Sequence, residues 1–275
     1  MDNEEKGRNT MKKLLLAAIC SSFLTTAHAD LWTPADTNTL VWYDASDAST
    51  ILTNGTSVTD WLDKSGNLLH LSQINGASQP TLNGSTVKLS GSQWMYTSAT
   101  NLSRFYGADA NKVAVFFVAK YYSGAVILQA ASSGNRVGFE GSGRFDFPND
   151  TTGLLTSWSS TLNNTEFKIC AGVADGTTQA VYLNGSNVAS QANALSMSDV
   201  TKPLWLGSRD GGGGSYGTFD IQEIVFLNSA APEVREKMEG YLAWKWGLVD
   251  GLPSDHPYKQ KAPMGPPSGT VIIIR

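Results

Sequence analysis

Between residues 40 and 227 the chain repeats one device, a short run of β-branched and aromatic residues closed by turn formers. The runs are Leu40 to Tyr43, Val58 to Leu62, Val87 to Leu89, Val113 to Ala119, Ala125 to Ala130, Val137 to Glu140, Phe167 to Val173, Ala180 to Leu183 and Phe219 to Leu227. Runs of this length and composition read as strands. The dipeptides Asn54-Gly55, Asn75-Gly76, Asn83-Gly84 and Asn184-Gly185 lie between several of them, and Asn-Gly supplies the positive φ that a tight hairpin needs. The clearest hairpin is Asn184-Gly185, between Tyr182-Leu183 and Ser186-Asn187-Val188. Tight turns make neighbours antiparallel, so the expected body is a sandwich of antiparallel sheets. Val113 to Ala119 is apolar at every position, the pattern of a strand covered on both faces, and this places it in the sandwich centre.

One helix interrupts the pattern. Pro232 suits a first helical turn, Val234, Met238, Tyr241, Leu242 and Trp246 fall on one face, and Gly247 ends it. This amphipathic stripe predicts a helix docked on the sandwich. Beyond it come Pro253, Pro257, Pro263, Pro266 and Pro267, and then Val271-Ile272-Ile273-Ile274-Arg275. That tail is too short to span a bilayer and reads as an edge strand or as a sticky segment for self-association.

From Met11 the sequence MKKLLLAAICSSFLTTAHAD has two lysines, an apolar stretch from Leu14 to Leu24, and Ala27-His28-Ala29 at a cleavage position. These are the parts of a secretory signal peptide ending at Ala29. The expected organisation is a polar extension over 1–10, a signal peptide over 11–29, one domain over 30–259 and a proline-rich tail over 260–275. The expected location is exported: extracellular, cell surface or periplasm. Export would remove Cys20 and leave Cys170 alone, so no intramolecular disulfide is expected and the fold must rest on its core. Cys170 sits in a strand pattern and reads as a buried, inert thiol. The chain carries 20 basic and 24 acidic residues, a net charge of −4, with no basic run. The electrostatic drive for nucleic acid or anionic membrane surfaces is therefore missing, and no membrane span is expected.

The opening Leu40-Val41-Trp42-Tyr43-Asp44-Ala45-Ser46-Asp47, with Val58-Thr59-Asp60-Trp61-Leu62-Asp63-Lys64-Ser65-Gly66-Asn67, resembles the start of the laminin-G-like branch of the concanavalin A-like lectin/glucanase superfamily. The closing match is sharper. Ile221 to Asn228, Glu239-Gly240-Tyr241-Leu242-Ala243-Trp244-Lys245-Trp246-Gly247-Leu248, Leu252-Pro253 and His256-Pro257-Tyr258-Lys259 are similar to the terminal strand, helix and proline segment of such secreted bacterial modules. The resemblance runs from about Leu31 to Lys259. It implies an all-β, two-sheet antiparallel jelly roll carrying one C-terminal helix, and carbohydrate or glycoconjugate binding. The aromatics that carry the match, Trp42, Trp61, Tyr241, Trp244 and Trp246, read as packing residues.

Glycoside hydrolysis needs two carboxyl groups across the scissile bond. The superfamily's glucanases carry them at alternating or near-alternating strand positions. Here Thr218 takes the place of the first, and Asp220 and Glu223 stand an odd number of residues apart, which in a regular strand sends them to opposite faces. Asp146 and Asp150 share parity, but Pro148 and its neighbours read as a loop. His70 and His256 lack a metal-binding spacing, and the glycine loop Arg209 to Gly217 lacks the lysine of a phosphate cradle. No cofactor is expected. Calcium is the alternative, on loop residues Asp44, Asp47, Asp109, Asn111, Asp146 and Asp210, although no spacing singles it out.

Sugar recognition lays a pyranose face on an aromatic while fixed polar groups bond its hydroxyls. Three places offer that: Tyr216 with Arg209 and Asp210, Trp158 in a polar segment, and Tyr121-Tyr122 at the end of the central run. The expectation is a secreted, non-catalytic lectin-like module for a polysaccharide or surface glycan, with ligand residues Arg209, Asp210, Tyr216, Trp158 and Tyr122. The alternatives are a self-assembling adhesive or structural subunit and a polysaccharide hydrolase or lyase.

Overall fold

The computed structural model describes residues 28–98, 112–124, 126–130, 137–140, 144–146, 165–192, 203–208, 214 and 216–268. Its strands are β1 (His28–Leu31), β2 (Thr39–Asp44), β3 (Ile51–Asn54), β4 (Ser57–Trp61), β5 (Leu71–Ser72), β6 (Thr81–Leu82), β7 (Val87–Ser90), β8 (Met95–Thr97) and β9 (Val113–Gly124). There follow β10 (Val126–Ala130), β11 (Val137–Glu140), β12 (Arg144–Asp146), β13 (Lys168–Ala174), β14 (Thr178–Leu183), β15 (Ser186–Ala192), β16 (Leu204–Leu206), β17 (Gly217–Leu227), the helix α1 (Pro232–Trp246) and β18 (Met264–Ser268).

Residues 33–263 form one compact unit, an all-β antiparallel sandwich. One layer runs β15-β14-β13-β9-β17, and β17 shares its far edge between β7, along Thr218 to Ile221, and β2, along Glu223 to Leu227. The other layer runs β6-β4-β5-β8-β16-β10-β11-β12 with β3 beside β4, and the β6–β7 hairpin joins the two. Between them lies a core that draws on both layers, with Val115, Phe117, Phe219 and Phe226 facing Trp61, Leu71, Met95 and Leu206.

Three Asn-Gly pairs form hairpin turns as expected, between β3 and β4, β6 and β7, and β14 and β15. At the last, Asn184 and Gly185 have φ of 48° and 82°, the mirror-image turn that matches strand twist. Asn75-Gly76 is different. It opens a short 3-10 turn over Gly76–Ser78, with the Asn75 side chain accepting from the Ala77 amide. The Asp146 segment also differs from expectation, because Arg144–Asp146 is a strand paired with β11. Cys170 is a free, fully buried thiol, and burial pushes its pKa well up.

The central strand is covered on both faces, as its unbroken apolar run predicts. Val113, Val115, Phe117 and Ala119 point into the core, while Ala114, Phe116 and Val118 are equally buried on the opposite side. Helix α1 provides that cover. At one end the Arg235 guanidinium stacks 4.0 Å from the ring centre of Tyr182 on β14, and at the other Tyr241 and Trp246 bond to Glu223 on β17. The helix thus crosses the sheet with Met238, Tyr241, Leu242 and Ala243 buried beneath it. Each large apolar side chain so covered contributes about 1.5–3 kcal/mol. Pro232 starts α1, and Gly247, at φ 69°, ends it.

The buried face of α1 is broader than the apolar stripe, because it includes Arg235 and Glu239. Glu239 accepts from Arg235 at 2.6 Å and lies 3.3 Å from His256 Nε2. His256 belongs to the proline segment, which straps down over the helix: Trp244 Nε1 donates to the Tyr258 carbonyl, and Lys259 donates to the carbonyls of Val249, Asp250 and Leu252. Trp42, Trp61 and Tyr241 are buried as expected, whereas Trp244 is 40% exposed.

Strands β1 and β18 pair antiparallel as a separate two-stranded ribbon, and β1 includes Ala29 and Asp30, the expected cleavage point. The rest of the expected leader, including Cys20, and the Val271 to Ile274 tail lie outside the described residues. No helix among the described residues is long and apolar enough to cross a membrane.

Candidate functional site

Strand β17 organises the outer face of the helix-bearing sheet, and a β-bulge decides what it shows there. Ile221 pairs with Ala119 and Glu223 with Val118, so Gln222 is the extra residue. A bulge resets the two-residue alternation. Core-facing positions accordingly change from Phe219 and Ile221 to Ile224 and Phe226. Asp220 and Glu223 therefore share the outer face, which corrects the expectation from regular alternation.

Three residues apart on one face, these two acids meet opposite surroundings. Glu223 lies under α1 with no exposed surface. Its Oε1 accepts from Trp42 Nε1 at 2.7 Å and the Tyr241 hydroxyl at 2.9 Å, and its Oε2 accepts from Trp246 Nε1 at 2.6 Å and pairs with Lys245 at 2.8 Å. Burial pushes the Glu223 carboxyl above its usual range, and Lys245 draws it part of the way back. Lys245 also pairs with Asp44 at 2.8 Å, Asp44 with Lys64 at 2.9 Å, and Lys64 with Asp47 at 2.8 Å. Burial alone would raise Asp44, but Lys245, Ser46 and Lys64 outweigh it and hold the carboxyl low. Asp47 is brought down to about 2 by Lys64 and Ser49. The chain of charges ties β2, β17, α1 and the loop after β4 together. That loop is itself pinned by Asp63, whose oxygens accept from the amides of Trp42, Ser65 and Leu69.

Asp220 is only 8% exposed, but its partners reach solvent. Its Oδ2 accepts from the Tyr122 hydroxyl at 2.9 Å and stands 3.9 Å from Lys88 Nζ. Tyr122 is 43% exposed. Burial and the Asp220 carboxylate raise its hydroxyl's pKa, so it remains a neutral donor. Cross-strand register sets Lys88 on β7, Asp220 on β17 and Lys120 on β9 side by side. The Lys120 ammonium lies 4.6 Å from the centre of the Phe167 ring. Adjacent strands are about 4.8 Å apart, so the row from Lys88 to Phe167 extends about 14 Å. Beside it, Thr218 pairs with Ser90 and Ser123. An exposed aromatic flanked by fixed donors and acceptors is the chemistry that holds a sugar ring.

Of the residues singled out from sequence, Tyr122 and Tyr216 come to the same end of the sheet. Gly217 pairs with Gly124, and a Cβ added at Gly124, whose φ is +96°, would stand 2.2 Å from the Tyr216 carbonyl oxygen. Tyr216 is half-buried. Arg209, Asp210, Trp158, Asp109, Asn111 and Asp150 lie outside the described residues. Asp44 and Asp47, two of the calcium candidates, are the lysine partners described above. Sequence reasoning missed Lys88, Lys120 and the role of Asp220. Their signal was present as polar residues in otherwise apolar strands, but the register that aligns them was not.

The Laminin_G_3 family model, described as Concanavalin A-like lectin/glucanases superfamily, matches residues 81–233. The chain belongs to this superfamily. No curated protein matches its sequence. Among solved structures, Trypanosoma rangeli sialidase in complex with sialic acid superposes with a TM-score of 0.54 at 13% identity, over 79% of this chain and 34% of that one. The botulinum neurotoxin serotype D binding domain gives 0.50 at 13% identity, over 79% of this chain and 53% of that one. The chain thus spans about a third of the sialidase and about half of the neurotoxin domain. At such identities the likeness is one of fold.

Proposed function

We propose that the chain is an exported, non-catalytic glycan-binding module whose site is the outer-face row around Tyr122, Asp220, Lys88 and Lys120. The observation that carries this reading is the Tyr122–Asp220 hydrogen bond, which fixes an exposed aromatic ring beside polar groups. A pyranose resting on the ring would find Asp220 as acceptor and the lysines as donors. The leader sequence ending at Ala29 supports export. Support for a binding role over hydrolysis comes from Glu223: buried and already bonded to four donors, it is a poor partner for Asp220 in attacking a glycosidic bond.

The test is a glycan array probed with the folded wild-type module and with Tyr122→Ala. Loss of a well-placed aromatic contact costs about 1.4 kcal/mol or more, so the variant should bind about tenfold more weakly. Unchanged binding by Tyr122→Ala would remove the row from the site. Absence of any bound glycan would end the reading.

A further inference from the structure

The charges in the row do not balance, and the surplus is positive. Among the described residues Asp220 is its one carboxylate, facing Lys88 on β7 and Lys120 on β9. Lys88 is held loosely, at 3.9 Å, with its side chain 42% exposed. Lys120 has no carboxylate within ion-pair distance among the described residues, and its ammonium rests on the Phe167 ring, half-buried. Both lysines therefore retain donors for a ligand, in a chain whose net charge is −4. The contrast with the rest of the same face is informative. Under α1, Lys64 and Lys245 are each shared between two carboxylates.

We propose that the row selects acidic glycans, with Lys88 and Lys120 engaging sugar carboxylates or sulfates on either side of a ring seated against Tyr122. This rests on the glycan-binding reading and narrows it. The two lysines stand on alternate strands, about 10 Å apart at their backbones, so they suit anionic groups on neighbouring sugars better than two oxygens of one group. Asp220, between them, disfavours a third anion at the centre and leaves that place to hydroxyls. The contact of the Lys120 ammonium with the Phe167 ring limits the rotamer freedom that a long side chain otherwise loses on binding.

The array for this test carries neutral, carboxylated and sulfated glycans, and is probed with the wild type, Lys88→Gln and Lys120→Gln. Glutamine keeps most of the stem and removes the charge. The expected result is binding confined to acidic glycans, reduced about tenfold by either substitution, the scale of one charge-assisted contact, and weakened by added salt. The carboxylated and sulfated arms distinguish which anion is preferred. Equal binding of neutral glycans, or an undiminished acidic signal in both variants, overturns the selectivity while the glycan-binding reading stands. No binding to any glycan overturns both. A circular dichroism melt of each variant, unchanged from wild type, separates lost binding from lost folding.

Discussion

Glu223 and Asp220 sit on the same strand and face, three residues apart, and both are largely buried, yet one is bonded only to buried or half-buried groups and the other to groups that reach solvent, Tyr122 and Lys88. The difference is helix α1. Where it covers β17, Glu223 takes two indoles, a phenol and an ammonium. Where it stops, Asp220 keeps a single hydrogen bond to an exposed tyrosine and a distant lysine. A buried carboxylate depends on its partners, and Glu223 has four, whereas those of Asp220 also reach solvent. There a ligand can meet them.

The largest effect expected is from Glu223→Ala, which leaves the indoles of Trp42 and Trp246 and the Tyr241 hydroxyl without their acceptor and Lys245 with Asp44 alone. Removing one side of a buried ion pair destabilises by about 3–5 kcal/mol, read as a lower denaturant midpoint. A drop under 1 kcal/mol would show that the covered half of the face is not the anchor described. Gly240→Ala should follow. The Tyr258 side chain lies on Gly240, and an added Cβ would come within 2.6 Å of its Cβ and 2.7 Å of its ring. Alanine favours a helix by about 1 kcal/mol, but overpacking of this kind costs about 1–3 kcal/mol, and the strap from His256 to Lys259 must shift. Net destabilisation with faster proteolysis near Tyr258 is the expected outcome, and a stabilised variant would contradict the close contact.

Asp220→Ala probes the open half. Asp220 is itself largely buried, but its partners Tyr122 and Lys88 reach solvent, so its loss should cost about 1–2 kcal/mol, less than that of Glu223, while the proposed glycan binding falls as Tyr122 loses its tether. A large stability loss with intact binding would reverse the assignment of the two acids.

Much of this contrast was hidden from the sequence for identifiable reasons. The unbroken apolar run of β9 told correctly of two covered faces, because burial on both sides leaves no polar alternation. Pro232 and Gly247 marked the ends of α1 through backbone restrictions that act locally. The bulge at Gln222 leaves no comparable mark, and one inserted residue exchanges faces for everything beyond it. Hence Asp220 and Glu223, which regular alternation separates, lie on one face. Arg235 and Glu239 escaped the apolar stripe of α1 for a related reason: the partners that permit their burial, His256 and Tyr182, are remote in sequence. The lysine row depends on pairing among β7, β17 and β9, which no local pattern encodes.

The smallest effect tests where the anchored network meets solvent. Asp47 is its outermost carboxylate, 32% exposed and paired with Lys64. In the folded chain its pKa is brought down to about 2, against about 3.9 for an unperturbed aspartate. A depressed carboxylate contributes stability that is present above the unfolded value and lost as pH falls through the folded one. Asp47→Asn should therefore be less stable than wild type at pH 7 by no more than about 1 kcal/mol, because exposed pairs are screened. The gap should shrink below about pH 4 and close near pH 2. Glu223 has the opposite sign. Its folded carboxyl is raised, so its proton is held more tightly by the folded chain, and its contribution is greatest in acid and fades as pH rises through the folded value. The acid limb of the wild-type curve is then a contest between the two ends of one charge chain. Glu223→Gln should leave the Asp44 and Asp47 losses unopposed and make stability fall more steeply with acid. Parallel curves for wild type and both variants between pH 7 and 2 would mean that neither carboxylate is coupled to folding as the geometry requires.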